Sequence, residues 1–210
     1  MKLYTYHRNS AGERVRIALN IKALAYEYVS IPGLGWDRYR SINPQGLLPA
    51  IEVDGHIFAQ STAILEFLEE RYPDPPLLPA DDFLRAEARS FGQLIACDLH
   101  PLNNNRVRVF LGTEMRLSEA QILVWYRHRV AAGLAALEAA LERRAKPWPF
   151  CFGDEPGWAD LHLVPQMRNG RRFECDLGPY PRLRKVEARC VELDVFKRAR
   201  PDQQPDYPGS

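Results

Sequence analysis

Residues 43–61 decide the fold of this chain, and they read NPQGLLPAIEVDGHIFAQS. Pro49 has no amide hydrogen, so it can stand only at the start of the strand predicted for residues 50–53, and the bond before it is a candidate cis peptide. Asp54 and Gly55 supply the turn chemistry of a tight hairpin into residues 57–59. The segment therefore predicts a strand that starts at a proline and returns through a hairpin.

The end of this segment predicts the start of a helix. Residues 62–71 carry apolar side chains at helical spacing, and Ser61 precedes them as an N-cap. The free amides at a helix N-terminus can hold an anion. An extended peptide that carries a carboxylate would fit between Pro49 and this helix.

Composition is that of an ordinary globular protein. The chain has 210 residues and 46% hydrophobic residues, enough for one large domain or two small ones. Lys and Arg total 28 against 27 Asp and Glu, so the net charge of +1 gives no electrostatic reason to expect nucleic acid or an anionic membrane. No apolar run has the length of a membrane span, and residues 1–6 lack the apolar core of a signal peptide. We expect a cytoplasmic protein.

Four cysteines, at positions 97, 151, 175 and 190, are widely spaced. They show neither a Cys-x-x-Cys pair nor the Cys/His spacing of a zinc site. We therefore predict buried free thiols and no metal.

The first part of the chain alternates strand and helix patterns. A strand at residues 2–6, a helix at 14–21 and a strand at 26–31 precede an irregular stretch, the hairpin and the helix from Ser61. The order β-α-β then β-β-α builds a small mixed sheet covered by helices.

Residues 73–79 hold the densest proline cluster and read as a linker. Beyond it, apolar side chains recur at helical spacing in residues 82–98, 118–144, 158–169 and 182–190. We predict an α/β domain over residues 1–79 and an all-α domain over 80–210. The polar tail from Pro201 has little to bury and is expected to be loosely held.

This order resembles the cytosolic glutathione transferase superfamily, which implies a thioredoxin-like first domain that binds glutathione and a helical second domain that binds substrate. Several motifs look like its zeta class, the maleylacetoacetate and maleylpyruvate isomerase family. They are residues 14–19, 43–45, 48–50, 60–61, 97–104 and 163–166, and the Arg172-Phe173 pair. The resemblance also implies a homodimer.

The resemblance assigns the cofactor site. The carboxylate of the γ-glutamyl end of glutathione would lie at Gln60 and Ser61, and the cysteinyl backbone would pair with Leu48, the residue before Pro49. Two further residues are implied at the tripeptide: Gln45 contacts it, and His100 reaches its glycine end. For Ser61 alone, plain helix capping is the simpler interpretation.

The loop that activates the thiol departs from the family. Zeta enzymes usually carry Ser-Ser-Cys, whereas this chain has Asn9, Ser10 and Ala11. Lowering the pKa of a thiol from ~8.5 by about 1.5 to 2 takes about 2 to 3 kcal/mol. One hydrogen bond to the anion contributes roughly 1.5 to 3 kcal/mol and a helix N-terminus roughly 0.3 to 1 kcal/mol. Ser10 could thus act alone, or the amide of Asn9 could share the task.

The reaction implied is a glutathione-dependent cis–trans isomerisation of maleylpyruvate or maleylacetoacetate in aromatic catabolism. Arginine is suited to bind the substrate carboxylates and to stabilise the negative charge that develops during the reaction, because its planar guanidinium group stays charged and can grip a carboxylate with two hydrogen bonds. The first candidate is Arg8 beside the thiol, followed by Arg172, then Arg106, and last Arg108 and Arg168. Asn104 could be polar lining of the same cleft.

Two other functions remain open on the sequence. The same thiolate could serve a conjugating transferase or an α-haloacid dehalogenase. The fold could also be a glutathione-binding or partner-binding module without chemistry, because the first loop serine is absent. In the second domain, Asp160 matches a helix-capping motif whose partner, normally Ser or Thr, is Gly157 here.

Overall fold

The computed structural model describes residues 1–144 and 146–208. The chain forms two compact units: Met1–Leu77 together with Val191–Ser210, and Leu78–Cys190. The first break lies next to the predicted boundary at residue 79. The second differs from prediction, because the chain after Cys190 returns to the first unit.

The first unit is built on a four-stranded mixed sheet with the strand order β2-β1-β3-β4. Strand β1 pairs in parallel with β2, while β3 runs antiparallel to both β1 and β4. The strands are β1 (Lys2–Thr5), β2 (Glu27–Ser30), β3 (Ala50–Val53) and β4 (His56–Ala59). The predicted strands and hairpin are confirmed.

Helices cover this sheet, and the first of them is buried along most of its length. They are α1 (Ser10–Ile21), α2 (Ile31–Leu34), α3 (Trp36–Ile42) and α4 (Ser61–Arg71). In α1 every residue from 10 to 19 is buried, including Arg14 and Arg16. The stretch around Gly35, predicted to be irregular, instead holds α2 and α3, and Gly35 joins them at a φ of +92°.

All the regular secondary structure that is described in the second unit is helical. Its helices are α5 (Asp82–Gln93), α6 (His100–Asn103), α7 (Asn105–Thr113), α8 (Glu119–Glu142), α9 (Trp158–Arg172) and α10 (Pro181–Cys190). Between α5 and α6 the chain forms a π-helix over Leu94–Leu99. The long predicted helices are confirmed, whereas α7 was missed.

The start of α9 depends on Asp160. Its two carboxylate oxygens accept the N–H of Gly157 at 2.9 Å and the N–H of Cys151 at 2.9 Å. Burial raises the pKa of Asp160, and these two hydrogen bonds oppose that rise. Gly157 has no side chain that could accept a hydrogen bond from the N–H of Asp160, so only one half of the capping motif is present.

The C-terminal segment packs on the first unit, and the prediction of a loosely held tail is wrong. Helix α11 (Asp194–Lys197) packs against α1, and Asn20 Nδ2 donates to Val195 O at 2.8 Å. Further on, buried Gln204 donates to the carbonyl of Arg198 at 2.8 Å and to that of Arg200 at 2.7 Å. The tail is ordered by hydrogen bonds, which a count of apolar residues does not detect.

Residues 1–144 and 146–208 include no helix long and apolar enough to cross a membrane. All four cysteines are free, as predicted. Cys151 and Cys190 are buried, but Cys97 lies exposed on the π-helix, where its thiol donates to Gln93 Oε1 at 2.9 Å. Cys175 is half-buried, so the prediction of burial is wrong for Cys97 and only partly met at Cys175.

Candidate functional site

The loop before α1 carries the three predicted catalytic residues. Arg8 is exposed, and Asn9 is the N-cap of α1, with Oδ1 accepting the N–H of Gly12 at 2.5 Å. A Cβ at Gly12 would lie 2.2 Å from Thr5 Oγ1, so only glycine allows this close capping turn. The side-chain oxygen of Asn9 is engaged in capping, which leaves its NH₂ group as the donor for any bound anion.

Ser10 is the first residue of α1 and is 8% exposed. It therefore lies where the unsatisfied amides and the macrodipole of a helix both favour negative charge. A hydroxyl in this place has the chemistry to stabilise a thiolate.

The start of β3 has the backbone geometry that the sequence predicts. The Leu48–Pro49 peptide bond is cis, and Pro49 is buried. Tyr39 Oη and Asn43 Nδ2 donate to the carbonyl of Leu47 at 2.7 and 2.8 Å, and so hold the preceding loop. In the part of the chain that the structure describes, the N–H and C=O of Leu48 make no hydrogen bond, so both can pair with an extended peptide.

Helix α4 begins one residue earlier than predicted. Gln60, at a φ of +73°, is its N-cap without a side-chain capping bond, and Ser61 is the first helical residue rather than the cap. The first intrahelical bond is from Ile64 N to Gln60 O, which leaves the three preceding amides without a helical acceptor. Gln60 Nε2 donates to Gln45 Oε1 at 2.7 Å, so two predicted cofactor residues meet here.

A buried arginine lies behind Ser61. Arg14, only 2% exposed, donates from Nη1 to Ser61 Oγ at 3.2 Å. Its positive charge, the Ser61 hydroxyl and the open amides of α4 together favour a carboxylate. These groups and the backbone of Leu48 fit a tripeptide with a free α-carboxylate. No role was predicted for Arg14, although an arginine amid the apolar residues of α1 is a signal that a buried acceptor is needed.

In the second unit, three predicted residues lie along one stretch. His100 begins α6 directly after the π-helix, and irregular turns of this kind often mark functional sites. Asn104 caps α7, with Oδ1 accepting the N–H of Arg106 at 3.1 Å. Arg106 is exposed.

Two arginines converge on one aromatic ring. The Cζ of Arg108 lies 4.5 Å from the ring centroid of Phe173, and that of Arg172 lies 5.3 Å from it. Tyr126, 2% exposed, packs on the same ring with centroids 4.1 Å apart. Burial raises the pKa of Tyr126, so its phenol stays neutral between these cations. Arg168 is half-buried on α9, four residues before Arg172.

Neither Arg108 nor Arg172 forms an ion pair with any residue that the structure describes. Two guanidinium groups held at one ring without a carboxylate partner are suited to an anionic ligand. Of the arginines predicted in this unit, Arg172 and Arg108 contact the same ring, that of Phe173, and Arg106 does not share this contact. The described residues contain no group of three His, Cys, Asp or Glu side chains able to hold a metal ion.

Known proteins resemble this chain throughout its length. Residues 3–76 match the family described as Glutathione S-transferase, N-terminal domain. Maleylpyruvate isomerase from Ralstonia sp. is 44% identical over 98% of this chain and 99% of its own length. Maleylacetoacetate isomerase from Pseudomonas aeruginosa is 42% identical over 100% of both chains.

Solved structures agree with these relatives. The holo structure of a maleylpyruvate isomerase, described as a bacterial glutathione S-transferase in the zeta class, has a TM-score of 0.95 at 44% identity and covers 99% of this chain and 100% of its own. A maleylacetoacetate isomerase from Methylobacterium extorquens, solved with bound malonate and glutathione, has a TM-score of 0.93 at 39% identity and full coverage of both chains.

The mixed α/β unit and the helical unit are those of a glutathione transferase, whose cofactor is glutathione. Within that class the chain belongs to the zeta family of maleylpyruvate and maleylacetoacetate isomerases. The predicted fold, family and cofactor are confirmed.

Proposed function

We propose that this protein is a glutathione-dependent cis–trans isomerase of maleylpyruvate or maleylacetoacetate in the breakdown of aromatic compounds. The observation that carries the proposal is the pair of arginines, Arg108 and Arg172, stacked on Phe173 without a carboxylate partner among the described residues. Both proposed substrates are small dicarboxylates, and a generic hydrophobic electrophile would not need two such cations. The names of the relatives support the same substrates.

The first unit binds the cofactor in this proposal. Ser61 and the open amides of α4 receive the γ-glutamyl carboxylate, with the charge of Arg14 behind the hydroxyl. The backbone of Leu48 pairs with the cysteinyl residue, and the Gln45–Gln60 pair contacts the tripeptide. His100, from the second unit, is proposed to reach the glycine end.

Bound glutathione supplies a thiolate that can add to an activated double bond and leave again. Ser10 stabilises this thiolate by donating a hydrogen bond, and its place at the start of α1 adds the field of the helix. Together these contributions amount to roughly 2 to 4 kcal/mol, enough to keep the thiol ionised at neutral pH. The side-chain NH₂ of Asn9 can serve as a second donor.

The arginines act on the substrate. Arg108 and Arg172 hold a carboxylate, and Arg8 offsets negative charge that develops as the carbon–carbon double bond becomes single and rotates. Arg106 and Asn104 complete the polar lining. The arginines act through their positive charge alone, and none of them has to give up a proton during the reaction.

Ultraviolet-monitored turnover of maleylpyruvate and maleylacetoacetate, with and without glutathione, tests this function. We expect conversion to the fumaryl isomers only when glutathione is present, with its concentration unchanged at the end. Absence of turnover with both substrates would contradict the proposal. Stoichiometric loss of glutathione with a chlorinated acid, but no isomerisation, would assign the site to a transferase or dehalogenase instead.

A homodimer in the cytoplasm is part of the proposal. Ile57 on β4 and Phe83 on α5 are exposed apolar side chains, of the kind that subunit contacts cover. Light scattering of the purified protein should give twice the mass of one chain, which is 24.1 kDa. A mass of one chain at micromolar concentration would contradict the dimer.

A further inference from the structure

The carboxylate of Asp206 accepts hydrogen bonds from three residues distant in sequence. The N–H of His7 donates to its two oxygens at 3.1 and 3.3 Å. Tyr28 Oη donates at 2.8 Å to Oδ1, and Ser30 Oγ donates at 2.8 Å to Oδ2. The side chain of Asp206 is 12% exposed, so water competes little for these bonds.

Two of these partners, His7 and Ser30, lie where β1 and β2 end. His7 follows β1 by two residues, and Ser30 is the last residue of β2. Asp206 therefore joins the ends of two parallel strands from a segment that lies nearly 200 residues further along the chain. Hydrogen bonds to an ionised acceptor are stronger than neutral ones, which makes this a firm anchor.

The C-terminal segment is also linked to His7 through Arg16. Arg16, fully buried, donates from Nη2 to the carbonyl of His7 at 3.2 Å and to that of Ala199 at 3.0 Å. The ring of Tyr207 also stands edge-on to the ring of His7, with centroids 5.5 Å apart. The N–H and the C=O of His7 are thus both fixed, one by Asp206 and the other by Arg16.

His7 directly precedes the loop that carries the proposed chemistry. Arg8 follows it, Asn9 N donates to the carbonyl of Tyr6 at 3.0 Å, and Ser10 opens α1. Fixing the peptide groups on either side of His7 therefore limits the directions in which Arg8 and Ser10 can point. Small displacements of such groups have large effects on rate.

We propose that Asp206 is a positioning residue, which holds the loop of residues 6–10 in its working geometry through the backbone of His7. The proposal rests on the assignment of Ser10 as thiol activator. It also gives the C-terminal segment a role in the reaction, although Asp206 acts only through another residue. The segment functions as a strap across the ends of β1 and β2.

Asp202 offers a matched control. It is a carboxylate on the same segment, and among residues 1–144 and 146–208 its hydrogen-bond donor is Arg200, at 3.1 and 2.7 Å. Asp206→Ala and Asp202→Ala remove the same group four residues apart. Asp206→Asn is the conservative variant, since its remaining oxygen can still accept from the N–H of His7.

Two measurements test the role of Asp206, and the first uses the full-length protein without glutathione. Hydrogen exchange of the peptide covering residues 6–12 should be about tenfold faster in Asp206→Ala than in Asp202→Ala, and intermediate in Asp206→Asn. In the second, absorbance titration of the thiolate should show a higher thiol pKa for glutathione bound to Asp206→Ala. The accompanying kcat should fall about tenfold while KM for the maleyl acid stays within about twofold.

Equal loop exchange and equal thiol pKa in Asp206→Ala and Asp202→Ala would overturn the proposal and leave Asp206 as an anchor of the tail alone. If Asp206→Ala does not fold, Asp206→Asn decides by the same readouts. Tyr28→Phe removes one partner of Asp206 but keeps the bond to His7, and it should leave both readouts near those of the parent. Because loop exchange and the thiol pKa are measured without a maleyl substrate, these two readouts decide the role of Asp206 even if the parent shows no isomerase turnover, a result that would contradict only the proposed function.

Discussion

The residues proposed to bind or activate glutathione in the first unit and the arginines proposed to bind substrate in the second are held in different ways. Ser10 and Ser61 are each less than a tenth exposed, and each begins a helix whose backbone fixes its position. Arg106 and Arg172 are exposed, and Arg172 is held chiefly by its contact with Phe173. The first set is fixed by backbone geometry, and the second is adjustable.

The difference indicates where cofactor and substrate selectivity reside. A rigid site binds one peptide with little loss of entropy, whereas an exposed arginine gives up about 2 kcal/mol of rotamer freedom when it is immobilised. Stacking on Phe173 reduces that loss by limiting the guanidinium to one plane. We therefore expect changes in the first unit to alter thiol activation or glutathione affinity, and changes in the second to alter the choice of dicarboxylate.

The largest effect is expected from Ser10→Ala. Loss of one hydrogen bond to the thiolate, worth about 1.5 to 3 kcal/mol, should lower kcat about 10- to 150-fold and raise the pKa of the bound thiol. Steady-state kinetics and thiolate absorbance measure the two quantities. Ser41→Ala is the control, because Ser41 is exposed and its hydroxyl donates to the nearby carbonyl of Arg38. A kcat equal to that of this control would assign activation to Asn9.

Arg172→Gln should follow, with kcat/KM for the dicarboxylate about 5- to 30-fold lower, since an exposed cation contributes only about 1 to 2 kcal/mol to a carboxylate contact. The Kd for glutathione should not change. Arg184→Gln on α10 removes an equally exposed charge away from Phe173 and should behave as the parent. Equal kcat/KM in the two variants would remove Arg172 from the site.

Ser61→Ala should weaken glutathione binding about three- to tenfold, because a hydrogen bond to the carboxylate is lost together with the bond from Arg14 to the Ser61 hydroxyl. Titration calorimetry measures the Kd directly. Thr62→Ala, which removes the neighbouring hydroxyl of α4, is the matched control. If both variants bound glutathione as the parent does, the carboxylate would have to lie elsewhere.

The smallest effect is expected from Gln45→Ala. Its hydrogen bond with Gln60 is exposed to water, so its loss should raise the Kd for glutathione only about two- to threefold. Gln203→Ala, an exposed glutamine of the tail, provides the reference. A tenfold effect at Gln45 would show that the first unit also relies on adjustable side chains, which would break the distinction between the two units.

Local chemistry made part of this molecule predictable. The hairpin at Asp54 and the cis bond at Pro49 depend on residues adjacent in sequence, and both were predicted. The contact between Arg14 and Ser61 and the grouping of Arg108 with Arg172 depend on side chains brought together over 47 and 64 residues, for which no local rule exists. The ordered tail escaped prediction for the same reason, because Asp206 finds its partners in β2 and in the loop after β1.

The π-helix over Leu94–Leu99 is equivalent to an α-helix into which one residue has been inserted. A π-turn holds one residue more than an α-turn, so deleting one residue there restores a regular helix. The same deletion rotates everything that follows by about 100°. His100 and Asn104 would then point in new directions while the helix itself gained regular hydrogen bonds. Because the same rotation would move buried Leu99 out of its packing, the deletion would destabilise the fold, and the extra residue of the π-turn is what allows Leu99 and His100 to keep their present directions together.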